Sequence, residues 1–595
     1  MENKNNKNSL IFIYIAISLS LIVVTLRLPH LKYRGFLSDE ATYLAIAESL
    51  VFDKDIYYEP KDLIRITEIY PSGPQGIFLR KTINNKLVYA KSIIYPLFAS
   101  PFYAVFKERG FIIFNVILCM LSLFLTEKWL MRILSDAKRS ISIALFFFFC
   151  SVAFLYLFWM TPEIFNFSSV LIGVILFSYK LNYEKRQNLI NQSLIEKFLL
   201  SKYSSIVASI FIALATCSKP PNIILTIPIG LFLLKDKKWK ELLLCTMAFV
   251  LIIIIFFGSY YILTGDWNFM GGERKTFYQK LPFDNPASTF DSLGVSHTAE
   301  NYWDKYYINF NIIIHNLIYF FIGRFSGIFL YFPITLVILC SYIFAKKNNF
   351  SILILIIIIM QILGYTILIP HNYFGGGGTL GNRYFMNVYP LFFVLIRNNF
   401  SMRKLVVTSL LAALFVGQML INVLYFSFYP FAHAKYFPYT LFPPEMTMVE
   451  NLPTNVNPHA FRIALESSPK FYLYYLNDNF YIPENGGFWI PGKKEAEFII
   501  EMVSKPTKII FHIENGLANN NRIAIKVNGQ LIKAEFLSGE RKDLQLDASK
   551  SFFYTRNKWF YKVKIKSRKG YIPAFWHTDY KDRRFLGCFI KITVQ

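Results

Sequence analysis

The sequence predicts a polytopic α-helical membrane bundle of about eleven spans followed by a C-terminal β-sandwich. Three observations carry that prediction. Long apolar runs recur as far as Phe428. The chain is 54% hydrophobic and only 17% charged, whereas a soluble domain is about 25% charged. Beyond Tyr429 the pattern changes to short runs of alternating character.

Runs such as "LIFIYIAISLSLIVVTL", "SIALFFFFCSVAFLYLFW" and "LLLCTMAFVLIIIIFFGSYYIL" reach the length that crosses ~30 Å of hydrocarbon. They lack the alternation of a barrel strand. The first run is too long for a signal peptide and has no small-residue cleavage site, so it reads as a retained helix. Spans are expected at roughly 9–28, 110–131, 139–160, 164–181, 204–218, 222–234, 241–263, 327–345, 350–370, 384–396 and 404–426. The short basic N-terminus "MENKNNKNS" and the basic turns "EKWLMRILSDAKR", "KDKKWK", "AKKNN" and "RNNFSMRK" then fall on one side, the cytoplasmic one. The first loop, 29–109, faces outside, since long loops cross largely regardless of charge. "SIIYPLFASPFYAVF" (92–106) and "NFNIIIHNLIYFFIGRF" (309–325) are short or interrupted and read as interfacial or re-entrant helices. Were either to span, every later loop would change side.

The Pro-rich stretch "YPFAHAKYFPYTLFPPEM" opens a linker placed at 431–470. After it, "TKIIFHIEN", "RIAIKVNGQ", "WFYKVKIKS" and "GCFIKITV" alternate with period two, and Asn528-Gly529 and Ser538-Gly539 mark turns. That predicts a β-sandwich or jelly roll over 471–595, outside the membrane. The net charge of +25 is scattered over every loop, which argues against nucleic acid and for anionic lipid headgroups or phosphate-bearing substrates. Cys119, Cys150, Cys217, Cys245 and Cys340 lie in apolar runs and Cys588 stands near the end, so there is neither a disulfide framework nor a metal spacing. His297, His315 and His371 are separated and read as ordinary histidines. No metal requirement is legible.

Chemistry-bearing residues crowd the predicted outer boundary. Asp39 and Glu40 follow Ser38, a potential N-cap, at the start of "ATYLAIAESL". Two carboxylates in a first helical turn also suit the helix dipole, so a plain capped helix is the competing reading. Glu163 lies in the short turn Thr161-Pro162-Glu163, where it is desolvated unless paired, or merely starts a helix. In "HNYFGGGGTLGNRYFMNVYP", Gly375 and Gly376 with Asn382 and Arg383 form a flexible concavity suited to an anion, although glycine tracts are usually linkers. Arg274 follows a glycine pair. Arg324 is alone in "FIGRFSG" and needs an anionic partner. Lys91 and Lys219 stand at outer edges, where lysines also merely snorkel. Acids beside several cations suit proton abstraction from an acceptor hydroxyl and stabilisation of a departing phosphate.

The acidic pair after the first span, Lys91 shortly before a Tyr-Pro helix, the acid after the third span and "GNRYF…YP" together resemble the GT-C glycosyltransferases. The resemblance is to the branch of lipid A aminoarabinose transferases and protein O-mannosyltransferases, and it covers about residues 1–430. It implies a GT-C-like bundle with a polyprenyl-phosphate sugar as donor. It further implies Asp39 as the catalytic carboxylate, acting as base on the acceptor or orienting it, with Glu40 its neighbour, Glu163 as a second carboxylate, and Lys91 as a donor-phosphate contact. The family's Lys-Pro-Pro is Lys-Ser-Ile here. Arg274, Arg324 and Arg383 match only by region, as further phosphate contacts. "GFWIPG", "NGGF" and "DYKDRRFLG" look like appended carbohydrate-binding jelly rolls, although such a domain also serves simply as a cap. The function expected is an inverting transferase of a bacterial inner membrane, with site and tail extracytoplasmic and a lipid, glycan or protein acceptor. The competing functions are a lipid-linked glycan flippase, an oligosaccharide ligase or polymerase, and a membrane-anchored lectin. A flippase is expected to show internal repeats and mid-span polar residues.

Overall fold

The computed structural model describes residues 14–15, 17–26, 39–69, 76–182, 193–267, 269, 273–278, 280–296, 309–376, 378–452, 463–464, 471–516, 520–549, 552–576 and 580–595. The basic N-terminus, Ser38, His297 and most of 453–470 lie outside them.

Among the described residues, three helices are long and apolar enough to cross a membrane: Arg109–Leu134, Trp239–Thr264 and Asn349–Leu368. A fourth exists if Leu194–Leu200 and Lys202–Ser218, bent by 74°, count as one. Twenty-six residues rise about 39 Å, enough to span. Of the two 26-residue helices, the first has 72% of its apolar window buried in protein and the second 11%, so one is a core helix and the other presents its side chains outward.

The expected span 9–28 lies partly outside the described residues; the other remaining ones are shorter or broken, so eleven spans are not reached among the described residues. The stretch 327–345 divides into Ile328–Tyr331 and Ile334–Ile343 at Pro333, which has no N–H to continue the ladder. The stretch 384–396 becomes three single turns around Pro390, and 404–426 breaks before Gly417 and again at Asn422. The stretch 139–160 is Ala137–Phe149 followed by one turn at Ala153–Tyr156. The interfacial expectation at 92–106 corresponds to Ile94–Phe106, 13 residues that bury Tyr95, Ala99 and Tyr103 and expose Leu97, Phe98 and Val105. At about 20 Å it is too short to cross.

The chain divides into two compact units: Met1–Ile308 with Tyr331–Gly364 and Tyr384–Val423, and Asn309–Leu330 with Tyr365–Arg383 and Leu424–Gln595. In the first, a small antiparallel sheet stands among the helices, a feature the apolar-run pattern does not announce. Its strands are β1 (Ile77–Lys81), β2 (Leu87–Tyr89), β3 (Arg274–Phe277) and β4 (Val295–Ser296), in the order β2-β1-β3-β4. Phe78 pairs with Thr276 and Arg80 with Arg274, so the first loop is tied to the loop after Thr264. Ile77, Leu79 and Phe277 share one core with Ile46, Tyr95, Phe111, Phe165 and Cys217. Helix Asp39–Glu48 is buried at every residue.

The second unit holds strands β5 (Ile463–Ala464), β6 (Phe471–Tyr475), β7 (Gly487–Pro491), β8 (Glu495–Met502), β9 (Lys508–Asn515), β10 (Asn521–Val527), β11 (Gln530–Phe536), β12 (Arg541–Asp547), β13 (Phe553–Thr555), β14 (Lys558–Ser567) and β15 (Leu586–Val594). One sheet runs β11-β10-β14-β8-β6-β5 with β13 on β14; the other runs β12-β9-β15-β7. Alternate residues of both, such as Ile509, Phe511 and Ile513 against Ile523, Ile525 and Val563, share one core, as period two requires.

Candidate active site

Four contacts in the first unit close a circuit. Helix Asp39–Glu48 starts with its two carboxylates in the first turn, and both are buried. Lys91 leaves the end of β2, and its ammonium lies 2.6 Å from Asp39. One residue on, the Ser92 hydroxyl donates to the Cys217 carbonyl at 2.9 Å. Pro220 and Pro221 follow the helix Lys202–Ser218, and Lys219 at its cap turns out to meet Glu163 at 3.3 Å. Three residues before Glu163, the Met160 N–H donates to Glu40 Oε1 at 3.2 Å. The circuit therefore returns to the first acidic pair, and Asp39, Glu40, Lys91, Glu163 and Lys219 belong to one constellation.

Its electrostatics are two buried ion pairs rather than isolated charges. Glu163 is fully buried, and a buried carboxylate is tolerated only with a cation and hydrogen bonds around it. Lys219 also lies 5.3 Å from the Tyr384 ring. On the other arm, the Lys91 ammonium stands 4.2 Å and the Arg274 guanidinium 4.5 Å from the centre of the Phe78 ring, which the β1–β3 pairing sets across from Thr276. Both cations carry charge that suits phosphate, and guanidinium adds a planar fork. Close to this circuit in sequence, the buried Thr161 Oγ1, Ser218 Oγ and Asn222 Oδ1 have no hydrogen-bond partner among the described residues. No three His, Cys, Asp or Glu side chains among the described residues gather as a metal site.

The other nominated residues belong to the second unit. Arg324 is fully buried and bidentate on Glu497 of β8, at 2.8 and 3.0 Å, with the Phe442 and Thr440 carbonyls also accepting. Lys562 lies 3.1 Å from the same carboxylate. The anion that Arg324 requires is thus Glu497, and a donor-phosphate role is withdrawn for it. Burial works against the Glu497 carboxylate, but Arg324, Lys562 and Lys564 outweigh it and hold its pKa down to about 2. Gly375 and Gly376 have φ of +105° and +99°. A Cβ on Gly375 would stand 2.9 Å from Arg383 Cβ, so this loop is closed on the arginine stem. Asn382 is fully buried next to it.

Phe78 and Tyr384 are aromatic partners that motif reasoning leaves out. Tyr384 lies inside "GNRYF"; Phe78 shows only as part of the alternation in "GIFLRK".

Two solved structures of ArnT are similar to this chain. Both come from Cupriavidus metallidurans. The one bound to undecaprenyl phosphate has 12% identity and a TM-score of 0.39, covering 67% of this chain and 62% of that one. The apo structure has 12% identity and a TM-score of 0.37, covering 65% and 59%. The chain thus spans less than two thirds of the ArnT length. A secreted serine protease, VesC from Vibrio cholerae, matches at 15% identity with a TM-score of 0.15 over 22% of this chain and 25% of that one. No protein-family model matches, and no curated protein does. Likenesses this distant assign no role to any residue, so roles rest on the chain's own geometry.

Proposed function

We propose that this chain is a membrane glycosyltransferase that moves a sugar, with inversion, from a polyprenyl-phosphate donor to an acceptor hydroxyl on a lipid, glycan or protein. The observation that carries the reading is the circuit Asp39–Lys91, Ser92–Cys217, Lys219–Glu163 and Met160–Glu40, which joins two acid–lysine pairs, with Arg274 on the Phe78 ring that Lys91 also approaches. Site and tail would face the extracytoplasmic side of a bacterial inner membrane, as the basic short turns support.

In the resting site Lys91 neutralises Asp39. A donor phosphate that engages Lys91 and Arg274 draws the ammonium away and leaves Asp39 able to accept a proton. The acceptor oxygen then forms a bond to the anomeric carbon while its proton passes to Asp39. The carbon–oxygen bond to phosphate breaks, its electron pair stays on the leaving oxygen, and the cations stabilise that charge. Glu163, held by Lys219, positions acceptor or sugar hydroxyls. Glu40, fixed by the Met160 N–H, holds the acidic turn in place.

The test is donor turnover by the purified full chain given polyprenyl-phosphate sugars, membrane lipids and glycans. Wild type should release free polyprenyl phosphate, and Asp39→Asn should lower the rate by about 10²–10⁴-fold with its melting profile unchanged. Equal turnover by the variant overturns the base. Absence of donor consumption by wild type overturns the transferase reading and leaves lipid-glycan translocation to assay.

A further inference from the structure

A cleft of about 870 Å³ in the first unit shares no residue with the acid–lysine circuit. Lys180, Lys197, Lys235 and Lys238 line it, with Asp236 the one acid among the lining residues. Lys180 is anchored by Ser205 and by Glu241, and Lys238 lies 3.4 Å from Asp236. Even with both acids counted, the walls keep a net positive charge. Lys197 and Lys235 are exposed. The lining also holds apolar side chains, Leu181, Leu200, Phe232 and Phe350, the last two meeting edge to face at 5.4 Å.

Its position sets the level at which a ligand would lie. The helices Trp239–Thr264 and Asn349–Leu368, both long and apolar enough to cross a membrane, begin at the cleft. Lys238 provides no side-chain cap for the first of these, so the helix dipole adds to the lysine field. Exposed Trp239 and Tyr203 flank it, as aromatics do at a headgroup boundary. The short helix Leu194–Leu200 gives Lys197 and Leu200 to the cleft and exposes Leu194, Ile195 and Phe198, the composition of an interfacial segment.

We propose that this cleft binds the phosphate headgroup of an anionic membrane phospholipid. Free phosphate has the same charge chemistry, but it has no use for the apolar side chains of the lining or for the exposed Leu194, Ile195 and Phe198. The site is independent of the transferase reading, and it lies where "KDKKWK" and "AKKNN", both predicted cytoplasmic, come together.

The experiment measures retention of phosphatidylglycerol by the purified full chain, by native mass spectrometry after incorporation into phosphatidylcholine vesicles with and without phosphatidylglycerol. Wild type should retain phosphatidylglycerol, and the double variant K197E/K235E should lose about tenfold or more. K526E/K533E makes the same charge change on exposed residues of the C-terminal sheet, outside the cleft lining, and should retain it as wild type does. Equal loss in both variants, or loss in neither, overturns the site. Displacement of the lipid by excess inorganic phosphate overturns its assignment to a lipid. Because folding of each variant is read from its melting profile and activity is not used, failure of the transferase reading leaves this result intact.

Discussion

Glu48 ends the helix that Asp39 begins, and its environment makes it a pH sensor of folding. It is buried and accepts a hydrogen bond from the Tyr103 hydroxyl at 2.7 Å. Burial pushes its carboxyl up to about 7, although Tyr103 and Arg65 pull the other way and Glu108 and Asp62 add to the rise. Below the unfolded value of about 4.5 both states hold the proton and nothing is lost. As pH rises through about 7 the folded state must bury a carboxylate, which costs roughly 3 kcal/mol. Wild type should therefore melt lower at about pH 8 than at about pH 5, and Glu48→Gln should flatten that dependence. An unchanged slope in the variant removes Glu48 as its source. Arg324→Met should cost about 3–5 kcal/mol, because Glu497 then stays buried with only Lys562 and Lys564 nearby. Chemical denaturation of the detergent-solubilised protein measures it, and a loss below 1 kcal/mol contradicts the clamp.

At the scale of elements, the glycine loop separates two kinds of cost. A Cβ on Gly376 would make only an ordinary contact with Asn372 Oδ1 at 3.9 Å and φ is positive, so Gly376→Ala should lose only about 1–2 kcal/mol for its backbone conformation. Gly375→Ala meets the Arg383 stem as well and should lower the melting temperature further; equal losses refute the close approach. What the sequence makes legible here follows the range of the signal. Period two in "TKIIFHIEN" and "RIAIKVNGQ" is local, and the strands stand there. The β1–β3 pairing joins Arg80 to Arg274, and nothing local reports so distant a partner. Helix breaks at Pro333 and Pro390 were readable from the prolines, but apolar content alone merges the pieces into spans. Lys91 and Asp39 were nominated from opposite ends of one loop, and their separation of 2.6 Å depends on β2 turning the chain back. A lone Arg324 in an apolar run calls for an anion on sequence grounds alone. The identity of that anion was hidden 173 residues away.

For the whole molecule, the second compact unit draws Asn309–Leu330 and Tyr365–Arg383 from the middle of the chain to join the C-terminal part. A chain ending at Leu452 therefore loses more than a peripheral domain, since it removes Glu497 and strands a buried guanidinium at Arg324. The truncated protein should aggregate on size-exclusion chromatography, and adding Arg324→Met should restore part of the monodisperse peak. A monodisperse truncation without that change contradicts the dependence.

The same arrangement sets a clock during synthesis. Arg324 leaves the ribosome 173 residues ahead of Glu497. At about 5–20 residues per second, that is a wait of roughly 10–35 s. For that interval the nascent chain carries a cation whose final partner does not yet exist, and this unit can complete only after its last strands are made.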